Sequence, residues 1–154
     1  MVSEYSVKEF LKKAYYASKK MEKIIEELDR CKSQAMRTTP VLGESPSGAH
    51  ADPDSRAKII EKYVDLQREW AHIADVIIEN DRLASHIIEL LPDERQKALL
   101  WDRHIWRMSV QEMSDKWFYS SAQIKRILRS GYQDLAEIIN KDPELREKMS
   151  HNEL

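Results

Sequence analysis

Residues 91–139 read LPDERQKALLWDRHIWRMSVQEMSDKWFYSSAQIKRILRSGYQDLAEII, and the punctuation of this stretch divides it into three short helices. Pro92 suits a first helical turn, and Asp93 and Glu94 favour its positive end. Apolar Leu99, Leu100 and Trp101 follow. Ser109-Val110-Gln111-Glu112 is a capping box, a hydroxyl three residues before a side chain able to return the bond, and it starts a second helix through Val110, Met113 and Trp117. Ser120-Ser121-Ala122-Gln123 is a second box of the same form eleven residues later. It opens a third helix with an inner face of Ile124, Ile127, Leu128, Gly131 and Leu135. Gly131 falls where that face needs a small side chain. Trp117-Phe118-Tyr119 is left as a tight turn. A helix of about eight residues, a short turn and a second capped helix is helix-turn-helix spacing.

The outer face of that third helix carries the chemistry. Behind the cap Ser120 it presents Ser121, Ala122, Gln123, Lys125, Arg126 and Arg129, with Lys116 just before the turn. Small residues at a helix start let the backbone approach a duplex closely, and Lys and Arg one turn later reach guanine edges or phosphates. From Lys116 to Tyr132 there are four basic residues and no acidic one. A plain three-helix bundle with a solvated basic face is the competing reading. The two boxes at this spacing, with the run KRILR, favour double-stranded DNA as the partner.

Working outward, residues 54–90 repeat apolar positions at alternating intervals of four and three: Ile59, Tyr63, Leu66, Trp70, Ile73, Ile77, Asn80, Ala84, Ile87 and Leu91. This is a coiled-coil period, and the helix it predicts is about 50 Å long at 1.5 Å per residue. Residues 1–36 carry a weaker version in Val7, Leu11, Ala14, Ser18, Met21, Ile25, Leu28 and Ala35, flanked by Phe10, Ile24 and Cys31. Between them residues 37–53 gather Gly43, Gly48, Pro40, Pro46 and Pro53, a composition that sustains neither a helix nor a core and reads as a flexible linker. The expected architecture is all-α, a long antiparallel coiled-coil hairpin followed by the helix-turn-helix domain at 91–139 and a tail at 140–154. The tail's Asp142-Pro143-Glu144 resembles a helix start followed by little apolar surface.

The second long helix has more apolar surface than one partner covers. Val64, Ile78, Leu83 and Ile88 lie off the seam, so either the C-terminal domain or a second copy of the chain must cover them. A homodimer held through Ile59, Tyr63, Leu66, Trp70, Ile73, Ile77 and Asn80 is the expected oligomer, with Asn80 either fixing register or forming a solvated break in the pattern.

Composition excludes most other classes. The chain has 154 residues, 42% hydrophobic and 34% charged, with three glycines. That is about 2% glycine where about 7% is usual, too few turns for a sandwich or a doubly wound sheet. No phosphate-cradling glycine loop is present. The histidines His50, His72, His86, His104 and His151 are scattered, so no metal or other cofactor and no enzymatic activity are expected. One cysteine, Cys31, and the absence of a signal sequence or an 18-residue apolar run place the protein in the cytoplasm, away from membranes. The net charge of −2 argues weakly against a polyanionic partner. It averages an acidic second helix, with eight acids and five bases over 54–90, with the locally basic stretch after Lys116.

Residues 91–139 resemble the fourth conserved region of the sigma factor family. The resemblance rests on Leu91-Pro92, on Ser109-Val110-Gln111-Glu112-Met113 and on Ser120 through Ile127. The whole chain is similar to small phage-encoded regulators of the ArpU and RinA type, in which Tyr-Ser precedes a basic recognition helix as Tyr119-Ser120 does here. The resemblance implies a phage or prophage transcription regulator of late or packaging genes. It would read bases with Ser121, Ala122, Lys125 and Arg126 and act beside the host RNA polymerase. The alternative is a small terminase subunit, which joins a helix-turn-helix to a helical oligomerisation region and recognises phage DNA for packaging.

Overall fold

The computed structural model describes residues 1–37 and 53–152. The expected linker therefore falls outside the described residues, apart from Arg37 and Pro53, which belong to helices. The described chain is all-α: α1 (Glu4–Arg37), α2 (Pro53–Glu89), α3 (Glu94–His104), α4 (Val110–Trp117), α5 (Ser121–Lys141) and α6 (Pro143–Asn152). The long helices α1 and α2 form the expected antiparallel pair, and α3–α6 form a smaller helical cluster after it. Among the described residues no helix is long and apolar enough to cross a membrane.

Compactness divides the chain at places the linker does not mark. One unit comprises Met1–Tyr16 with Ile77–Leu154, and the other Ala17–Val76. In the second unit Lys20 pairs with Glu69 at 3.5 Å, and Cys31 and Ala35 lie beside Ile59 and Tyr63, so numbers rise on α1 as they fall on α2. Leu66 and Ile73 are buried in this seam as expected. On α1 the seam is one residue away from the expected line. Ile24 is 5% exposed and Cys31 3%, whereas Ile25 is 44% exposed. At 100° per residue, the positions 24, 28, 31 and 35 hold one face, and residue 25 turns off it. Trp70 is the second departure, at 40% exposed, because a single partner helix cannot enclose an indole.

The first unit has a core drawn from every helix. Val7, Phe10 and Leu11 of α1 join Ala84, Ile87 and Ile88 of α2, Leu99 and Leu100 of α3, Met113 of α4 and Ile124, Leu135 and Ile139 of α5. The first turns of α1 thus serve this core. Val2 fastens them to α5 through a reciprocal pair, its N–H donating to Asn140 Oδ1 and its carbonyl accepting from Asn140 Nδ2, each at 2.8 Å. The cluster also answers half of the covering question: Ile88 is fully buried and Leu83 packs against the core, while Val64 and Ile78 remain exposed. The tail is a sixth helix. Asp142 Oδ1 caps it by accepting from Glu144 N at 2.9 Å, and Leu145 and Met149, one turn apart, are both buried. Two apolar residues at that spacing are enough to seat a ten-residue helix.

Candidate nucleic-acid interface

The turn between α4 and α5 is built by its caps. Ser109 Oγ accepts from Glu112 N at 3.1 Å and Glu112 Oε2 accepts from Ser109 N at 2.9 Å, so the first box is complete. At the second, Ser120 Oγ accepts from Gln123 N at 3.1 Å, the forward half of the box. Both serines are in extended backbone conformation, as N-caps are. Between them Phe118 ends α4 in the left-handed region, φ 57°, with its ring 93% exposed. A non-glycine residue there costs about 1–2 kcal/mol and recovers nothing by burial. The Ser114 hydroxyl, which donates to the Tyr119 carbonyl, fixes the far side of the turn.

Three polar ties hold this pair of helices on α3. Asp102, 4% exposed, accepts from Trp117 Nε1 at 2.8 Å and from Lys116 Nζ at 2.9 and 3.0 Å. Gln96, also buried, donates to Ser130 Oγ at 3.0 Å and to Asp134 Oδ2 at 2.9 Å on α5. His104 Nε2 meets the Tyr132 hydroxyl at 2.7 Å in the interior. Burial first, then the neighbouring Arg103, Lys12 and Lys8 charges, push the imidazole from 6.5 down to about 3, against a raising hydrogen bond to the Leu11 backbone. The ring is therefore neutral. Burial also pushes the Tyr132 phenol up to about 12. Gly131 is the close approach between α3 and α5: a Cβ there would lie 2.9 Å from Leu100 Cδ1.

On this frame the expected contact residues separate into groups. Ser121, Ala122 and Gln123 form the first turn of α5, with Ala122 exposed and the other two partly covered. Lys125 and Arg126 are exposed, and no ion pair engages them among the described residues. Arg129 is exposed and pairs with Glu4 Oε1 at 3.3 Å. Lys116 stands apart from these: its charge rests on Asp102, which makes it a tie between α4 and α3. Of the seven residues expected at an oligomer interface, Leu66, Ile73 and Asn80 are buried within the chain, Ile59, Tyr63 and Ile77 are half-buried, and Trp70 is exposed. Neither amide atom of Asn80 has a hydrogen-bond partner among the described residues.

The sequence pattern did not reveal the contribution of α1. Lys8 and Lys12, four residues apart and hence on one face, line a cleft with Arg103, Lys125 and Arg129. The available signal was that spacing beside the apolar Val7 and Leu11. Among the described residues no group of three His, Cys, Asp or Glu side chains could hold a metal ion. Comparisons with protein families, with characterised proteins and with solved structures found no match to this chain.

Proposed function

We propose that the protein is a sequence-specific, double-stranded DNA-binding transcription regulator in which α5 enters the major groove. One observation carries this reading: Lys125 and Arg126 stand exposed on the second turn of a serine-capped helix, behind the small Ser121 and Ala122, on a scaffold that caps, buried polar ties and a close glycine contact hold rigid. Rigid placement matters because base reading needs side chains aimed to within a fraction of an ångström. The resemblance to phage regulators of late or packaging genes supplies the biological setting of the proposal, with action beside host RNA polymerase.

The reading includes a homodimer, since two recognition helices along one duplex double the contact. The apolar surface left exposed on α2 at Ile60 and Val64 supports it, and moves the contact off the seam that α1 already covers.

The test is fluorescence anisotropy on the protein's selected site. Replacing Lys125→Ala and Arg126→Ala together is expected to weaken binding, at about 1–3 kcal/mol for each base that is no longer read. Unchanged affinity in a folded double variant would place the DNA surface elsewhere.

A further inference from the structure

The cleft beside α5 extends the charged surface beyond the recognition helix. Lys8 and Lys12 of α1, Arg103 of α3, and Lys125 and Arg129 of α5 line one cleft of about 350 Å³, with Val110, Leu128 and Tyr132 as its apolar lining. Glu4 is the acid on its wall, and it is already engaged, with Arg129 at 3.3 Å and with Gln133 Nε2 at 3.1 Å. Glu9 reaches Lys12 only at 4.0 Å. Lys8 and Lys125 have no ion-pair partner among the described residues. Three helices thus bring five cations to one place against one carboxylate, an arrangement whose self-repulsion is relieved by an anion with several charges. The crowding reaches the interior as well, since Arg103, Lys12 and Lys8 all disfavour the charged form of His104 behind the cleft.

We propose that this cleft seats the sugar-phosphate backbone of the duplex whose major groove α5 enters, with Lys8 and Lys12 on phosphates beside the recognition helix. The proposal rests on the DNA-binding reading of α5. Backbone contacts of this kind fix the register of a recognition helix and carry no sequence information themselves. The first turns of α1, bolted to α5 through Val2 and Asn140, then belong to the DNA-binding surface as well as to the helical pair. A duplex fits the cleft better than a free small anion, because Lys125 and Arg129 are shared between the cleft and the outer face of α5.

The experiment measures affinity for a selected duplex and an unrelated duplex over a range of salt concentrations. Each phosphate contact contributes about 0.9 to the slope of log K against log salt. Lys8→Gln with Lys12→Gln is expected to lower that slope by about 2 and to weaken both duplexes by the same factor, leaving sequence preference intact. Lys8→Arg with Lys12→Arg is expected to restore the slope, which separates charge from shape and from folding. Lys23→Gln, away from the cleft residues, is expected to leave it unchanged. If the wild-type protein binds DNA and the glutamine variant keeps the full slope, the cleft proposal is overturned and the reading of α5 stands. The cleft proposal is likewise overturned if inorganic phosphate binds the wild-type cleft saturably while the slope is unaffected. If the wild-type protein binds no duplex, both fall together.

Discussion

A buried histidine held neutral is the residue most sensitive to conditions. His104 takes a proton near pH 6.5 in the unfolded chain but only near pH 3 in the folded one. Above pH 6.5 neither state binds the proton and the group contributes its full share of stability. As pH falls below that value the unfolded chain gains protons that the folded chain refuses, so stability declines by up to about 1.4 kcal/mol per pH unit until about pH 3. Urea unfolding at pH 7 and pH 5 is expected to show the wild type losing about 2 kcal/mol more than His104→Gln, which keeps a hydrogen-bonding partner for Tyr132 without a titrating ring. Parallel losses in the two proteins would mean the imidazole is not shielded. Nothing in the sequence marked this residue, because the partners that bury it, Leu11 and Tyr132, are 93 and 28 positions away. Lys116 shows the same limit. Its place before the turn is local and legible, but its pairing with Asp102 depends on how α4 crosses α3.

At the scale of elements, local chemistry was the most legible part. The start of α4 at Val110 and of α5 at Ser121 follow from serine caps, whose physics involves residues within three positions. The faces of α5 were equally readable, with Ile124, Leu128, Gly131 and Leu135 all buried. The α1 seam was read one residue off over part of its length, since Ile24 and Ile25 have the same hydrophobicity and only the partner's path tells them apart. What joins the elements is long-range and polar. Asp102 is expected to be the most important single tie: Asp102→Ala leaves the indole N–H of Trp117 unpaired in a covered site and frees Lys116. A loss of about 2–4 kcal/mol is expected by denaturant unfolding, milder than the full cost of an orphaned buried charge because the Lys116 side chain is 49% exposed and regains water. A loss below about 0.5 kcal/mol would show that α4 is held by its apolar face alone.

For the molecule as a whole, composition and period were sufficient to read an all-α chain with a long antiparallel pair. They were insufficient to show that the first turns of α1 complete the core of the α3–α6 cluster, since Val7, Phe10 and Leu11 fit the seam of a hairpin as well as the floor of a cluster. The same ambiguity hid Lys8 and Lys12 from the cleft, and within the expected tail at 140–154 the helix α6 buries Leu145 and Met149 against that core. The net charge of −2 is a property of the average; the surface that a duplex would meet gathers Lys8, Lys12, Arg103, Lys125 and Arg129 around one cleft. Whether α5 reads DNA sequence is decided by selecting bound duplexes from a random pool, side by side on the wild-type protein and on Lys125→Ala with Arg126→Ala. The wild type is expected to converge on one sequence motif, and the double variant is expected not to converge on it. Failure of the wild type to enrich any motif, or recovery of the same motif by the double variant, would contradict sequence reading by this helix.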